Sequence, residues 1–83
     1  MSDVPELSEQ AKNFRPGIYK HFKGGLYKAL FVARNSEARS EEFVVYQSLE
    51  KGLIWVRPLT MFLENVDRDG YQGPRFSFVE ESV

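Results

Sequence analysis

Eighty-three residues allow one domain with a modest core, and the absence of cysteine excludes disulfide staples, thiolate metal sites and a thiol nucleophile. The chain is 42% hydrophobic, 28% charged and 14% aromatic, a folded rather than disordered composition. Its net charge of −1 argues against a dedicated nucleic-acid binder.

The charge is unevenly spread. From Lys12 to Arg34 six basic residues occur without an acid, whereas the remainder holds all twelve acids and five basic side chains. Such a run can mark an anion-binding face, although alternating strands can also scatter it over solvated surface. The start "MSDVPELSEQAK" is acidic and polar, unlike a signal peptide, and the longest apolar run, "ALFVA", is too short to span a bilayer. Together with the missing cysteines, these features predict a cytoplasmic protein without membrane contact. No internal repeat divides the chain. A single domain over 1–83 is expected, with an N-terminal helical segment at 1–14, a β core at 17–79 and a fraying tail at 80–83.

"DVPELSEQAKNF" reads as a short helix with Asp3 as cap, Pro5 in the first turn, Glu6 at the capping-box position and an apolar stripe of Leu7, Ala11 and Phe14. "RPG" ends it. "GIYKHFKG" (17–24) alternates, "GG" at 24–25 signals a turn, and "LYKALFVAR" (26–34) is the longest strand candidate. "NSEARSEE" (35–42) is polar and predicts a loop. "FVVYQSL" (43–49) and "LIWVR" (53–57) are strands separated by an "EKG" turn, and Pro58, lacking an N–H, ends the second or lies at an edge. One helical turn is expected at 59–63, then a short extended piece. "DRDGYQGP" (67–74) predicts a loop with an Asp-Gly turn, and "RFSFV" (75–79) a last strand with Phe76 and Phe78 inward. The fold class is mainly β: a small SH3-like barrel or a rolled antiparallel sheet of about five strands, with a short N-terminal helix.

Strand alternation groups residues by face. Ile54 and Val56, Phe43, Val45 and Leu49, and Ile18 and Phe22 read as core. The opposite face then collects Tyr19, His21, Tyr46, Trp55 and Arg57, alongside Val44 and Ser48. Two tyrosines, a tryptophan, a guanidinium and an imidazole on one rigid face suit an anionic or aromatic ligand, because arginine stacks on rings and still donates to anions. The competing reading is structural, with Trp55 beneath the N-terminal helix and Arg57 paired to Glu64. No phosphate loop, metal-ligand cluster or nucleophile elbow accompanies the single histidine, so no cofactor or metal is expected and an enzyme is not favoured.

The segments "GIYKHFKGGLYKAL", "VVYQSL", "LIWVRPLTMFLENV" and "PRFSFV" together resemble the small bacterial family called domain of unknown function 1653. The resemblance spans Gly17 to Phe78, and its W-V-R-P block is specific. It implies a compact single domain and no assigned activity. The positions that match its motifs are Tyr19, His21, Lys23, Tyr46, Trp55, Arg57, Pro58, Phe62, Glu64, Arg75 and Phe76. Members often carry a histidine where this chain has Asn35, which weakens any two-histidine site, and the "EARSEE" and "LEKG" segments also depart from the pattern. The leading expectation is a binding module for a nucleotide, single-stranded RNA or another short anion, with Tyr19, His21, Lys23, Tyr46, Trp55, Arg57, Glu64 and Arg75 as candidate ligand residues. The alternatives are a protein-interaction or accessory domain with the same residues buried and, as a minor one, a hydrolase centred on His21.

Overall fold

The structure, a computed structural model, describes residues 5–81. Helix α1 (Glu9–Lys12) leads into β1 (Gly17–His21), β2 (Leu26–Asn35), β3 (Ala38–Ser48) and β4 (Ile54–Pro58). Helix α2 (Leu59–Phe62), β5 (Asn65–Arg68), β6 (Tyr71–Pro74) and β7 (Phe76–Glu80) follow. Five strands form one antiparallel sheet in the order β4-β3-β2-β1-β7, and β5 pairs with β6 as a separate ribbon. The sheet keeps β4 and β7 as edges, so it rolls without closing into a barrel. Register shifts after Ala29 in β2 and between Ile18 and Tyr19 in β1 supply local bends, because a bulge adds twist to its strand.

The helix begins later than its sequence signals suggest. Asp3 lies outside the described residues, Pro5 and Glu6 are not helical, and Ser8 is the cap. The Ser8 hydroxyl accepts from the Ala11 N–H at 3.1 Å and donates to the Glu42 carboxylate at 2.6 Å, while the Ser8 N–H donates to its second oxygen at 2.8 Å. A tertiary anchor on β3 thus fixes the start of the helix. The Glu42 carboxyl is held below its usual pKa by these Ser8 bonds. The stripe itself holds: Ala11 is buried, and Leu7 and Phe14 pack against the core.

Two segments that read as loops are hairpins. Residues 38–42 continue β3 after a turn at 36–37, with Arg34 opposite Glu42 and Asn35 opposite Ala38. Their side chains are polar because this end of the hairpin stands in solvent, and polarity masked the strand. The segment 67–74 crosses β5 and β6, joined at Asp69 and Gly70, whose φ values of 55° and 76° suit a two-residue turn that follows strand twist. At the C-terminal end Glu80 belongs to β7 rather than to a frayed tail.

The core lies on one face of the sheet. Phe62 of α2 is its plug, stacked on Phe76 with ring centroids 4.2 Å apart and meeting Tyr19, Tyr46 and Phe14 edge-on. Leu59 is equally buried, and α1 closes the side through Ala11. The outer face of the sheet has no layer upon it among the described residues. No described helix is long and apolar enough to cross a membrane.

Candidate functional site

Alternation grouped the right residues and reversed their polarity. Register places Arg57, Val44 and Val32 in one row across β4, β3 and β2, and Trp55, Tyr46 and Ala29 in the next. Tyr19 pairs with Tyr27 and Phe78, and His21 pairs with Phe76. This is the face that packs on the core. Tyr19, Val44, Tyr46 and Ser48 are buried, whereas Ile54 and Val56 are 63% and 62% exposed and Leu49 is exposed. Ile18, read as core, is half-buried, and Phe22 leaves the sheet to stack on Tyr71 of β6 at 5.5 Å. The reversal has a physical cause. Aromatic rings carry more area than valine or isoleucine, so the face rich in Tyr, Phe and Trp gains more from burial, and tyrosine hydroxyls find partners there.

Tyr19 belongs to the core. Its hydroxyl donates to the Arg15 carbonyl at 2.6 Å, its ring packs among Phe14, Phe62 and Phe78, and burial raises its pKa despite the nearby Arg15 charge. Tyr46 joins core to surface: its ring touches Phe62 and Phe76, and its hydroxyl accepts from Arg57 Nε at 3.3 Å. Trp55 is 49% exposed and does not lie beneath the N-terminal helix.

The expected Arg57–Glu64 pair is replaced by another. Glu64 accepts from Arg75 Nη2 at 2.6 Å, and its carbonyl accepts from the Arg75 N–H at 3.0 Å. The chain leaves α2 towards the β5–β6 ribbon and returns at Arg75, which is therefore the guanidinium that meets Glu64. Arg57 stays over the core face, its guanidinium carbon 5.9 Å from the Phe76 ring centre. Arg75 Nε is buried without a protein partner.

His21, Tyr46, Trp55 and Arg57 converge with Tyr27 and Phe76 around a recess of 220 Å³. A second recess of 430 Å³ shares Trp55 and Tyr27 and carries Lys23, Lys51 and Glu50 on its wall. Four of the eight sequence candidates line the first recess and Lys23 lines its neighbour; Tyr19, Glu64 and Arg75 line neither. Tyr27 and Lys51 were missed. Tyr27 shares the parity of Ala29 on β2, but its place near Tyr46 follows only from the pairing of β2 with β3; Lys51 sits in a turn and has no periodic signal.

His21 is the electrostatic indicator of the site. Its Nδ1 accepts the Lys23 backbone N–H at 3.1 Å, so the neutral ring carries its hydrogen on Nε2. Its pKa is lowered first by burial and then by the positive charges of Arg57, Arg75, Lys23 and Arg68. A neutral imidazole donor thus stands amid four cations, beside an exposed indole and a guanidinium. Such a place can receive an anion and a flat ring together. Among the described residues, no group of three or more His, Asp or Glu side chains is placed to hold a metal ion.

A family model described as protein of unknown function, DUF1653, matches residues 17–78. The chain is similar to the crystal structure of a DUF1653 protein from Bordetella bronchiseptica, with 39% sequence identity and a TM-score of 0.76. The likeness covers 88% of this chain and 96% of that one. No curated protein matches.

Proposed function

The chain belongs to the DUF1653 family, and from that premise we propose that it is a small binding module whose Trp55–Arg57–His21 recess takes a short anionic, ring-bearing ligand, a nucleotide or single-stranded RNA. The observation that carries this reading is a half-exposed tryptophan held beside a guanidinium and a neutral imidazole, with four cations around the imidazole. Stacking on an aromatic ring, combined with a cation for the phosphate, is how small β folds hold unstacked bases. Lys23 and Lys51 on the adjoining recess extend the cationic wall past Trp55.

Binding is favoured over hydrolysis by the state of His21. The imidazole lone pair on Nδ1 is engaged by the Lys23 N–H, and the remaining nitrogen is a donor, so the ring offers no free base to a water molecule. The rival reading, a protein-interaction or accessory domain with the same residues buried, has Tyr19 and Tyr46 covered within the chain and leaves Trp55 for a partner to cover.

The test is an NMR titration with mononucleotides and short single-stranded RNA, read at the Trp55 indole and His21. Saturable shifts that fade with added salt are expected, because phosphate contacts release counterions. Trp55→Ala should weaken binding by about 1–3 kcal/mol while the domain stays folded. Silence at Trp55 and His21 at low salt would sink the proposal.

A further inference from the structure

We propose that the ligand at Trp55 is a nucleotide within a single strand, with a phosphate on each side of its sugar, rather than a free mononucleotide. This rests on the reading of the Trp55 recess given above and adds a role for its neighbour. His21, Tyr46 and Arg57 line the recess of 220 Å³, and Lys23, Ser48 and Lys51 line that of 430 Å³. Trp55 and Tyr27 are common to both. Tyr46 and Ser48 are two residues apart on one face of β3, which offsets the second recess by about 7 Å along the strand. Trp55 stands opposite Tyr46 on β4, and Tyr27 opposite Ser48 on β2, so an aromatic ring borders the step on either side. Successive phosphates of an extended strand are separated by a step of the same order. A base stacked on Trp55 therefore sends one flanking phosphate into each recess.

Each recess fixes its own cations. Arg57 Nε donates to the Tyr46 hydroxyl at 3.3 Å, which orients the guanidinium fork. Lys23 and Lys51 stand on the β1–β2 and β3–β4 turns, at one end of the sheet, where the Leu49 N–H donates to the Leu26 carbonyl at 3.1 Å. Both turns are tied to the recess walls. The Lys23 N–H donates to His21 Nδ1 at 3.1 Å, and the Lys51 N–H donates to Ser48 Oγ at 3.2 Å. Across the two linings, Lys23, Lys51 and Arg57 face a single carboxylate, Glu50. One phosphate on Arg57 leaves the lysine recess uncompensated, whereas a phosphate on each side neutralises both. The net charge of −1 does not oppose this, because the positive potential is local to one end of the sheet.

The experiment is an NMR titration of the whole chain at low salt, read at the Trp55 indole and the Lys51 N–H. Uridine 3′,5′-bisphosphate should bind about tenfold or more tightly than uridine 5′-monophosphate, since the second contact is made within one ligand. Uridine 5′-diphosphate, with both phosphates on one side, should gain less. The trinucleotide UpUpU should also bind more tightly than the monophosphate. Lys51→Ala keeps the backbone N–H that bonds Ser48 and should bring the bisphosphate-to-monophosphate ratio towards one; Glu50→Gln should widen it. A bisphosphate no tighter than the monophosphate, a diphosphate that gains as much, or a ratio unmoved by Lys51→Ala would overturn this inference and leave the Trp55 recess as a mononucleotide site. A trinucleotide no tighter than the monophosphate would overturn the assignment to a strand. Silence at Trp55 with every ligand would overturn both this inference and the reading beneath it.

Discussion

The two faces of one sheet carry the same strands and two kinds of apolar surface, aromatic within and largely aliphatic without. The inner face stacks Tyr19, Tyr46, Phe76 and Phe78 beneath Phe62, and its margin opens into the Trp55–Arg57–His21 recess. The outer face carries aliphatic residues and Phe31 in the open. A hydrophobic stripe therefore does not reveal which side of a sheet is the core when both sides are apolar. What decided it here was ring area and the reach of a four-residue helix, α2, that delivers Phe62 and Leu59 to one side.

Truncations on the two sides of the sheet, one in α2 and one in β4, separate them most strongly. Phe62→Ala removes the plug of the aromatic cluster and should cost about 3–5 kcal/mol in urea unfolding. Val56→Ala, measured in dilute solution, should change stability by less than about 0.5 kcal/mol. Comparable losses at both positions would mean that the outer face is already covered in the monomer.

The seam between β1 and β7 offers a second contrast. Gly17 has φ 149°, and a Cβ there would lie 2.6 Å from the Glu80 carbonyl oxygen and 3.0 Å from the Phe78 ring. Gly17→Ala should therefore destabilise by about 1–3 kcal/mol, checked by thermal melting. Gly24, where a Cβ meets nothing within 4 Å, also has a positive φ, so Gly24→Ala should show the strain of that conformation without the collision and cost less. Equal losses would remove close strand approach as the reason for glycine at 17.

The cap that ties α1 to the sheet has a smaller effect. Ser8→Ala deletes the bond to the Ala11 N–H and one bond to Glu42, and should cost about 1 kcal/mol. Its mark should be faster hydrogen exchange at Ala11 with little change around Trp55.

The smallest expected effect is a pH dependence confined to the inner face. The His21 pKa is depressed in the folded state, so the unfolded chain binds more protons as pH falls. The contribution of neutral His21 is complete above the ordinary value of about 6.5 and is lost as pH drops from there through the depressed one. Urea unfolding at pH 7.5 and pH 5 should thus show a steeper loss in the wild type than in His21→Gln. An anion in the recess should raise the His21 pKa by the same linkage, which NMR can follow. A slope unaffected by the substitution would show that His21 does not report on the cations around it.

Much of the frame is legible in the sequence. Gly-Gly at 24–25 and Asp-Gly at 69–70 mark hairpin turns, Pro58 closes β4, and the stripe of Leu7, Ala11 and Phe14 finds the core. These signals are local, fixed by φ, by a missing N–H or by helical spacing. The same holds for the grouping of Tyr19, His21, Tyr46, Trp55 and Arg57, since residues two apart on a strand share a face whatever the fold does next. The family motifs over Gly17–Phe78 were equally visible.

Three things were decided only in three dimensions. Alternation is symmetric under exchange of the two faces, so the side that became core depended on where α2 and Phe62 landed. Glu64 paired with Arg75 rather than Arg57 because the chain returns from the β5–β6 ribbon at Arg75, and a carboxylate binds whichever guanidinium the backbone delivers. The wall of the Trp55 recess includes Tyr27, a residue whose place beside Tyr46 exists only once β2 and β3 are paired in register. Periodicity determines which residues stand together; long-range packing alone determines what they stand against.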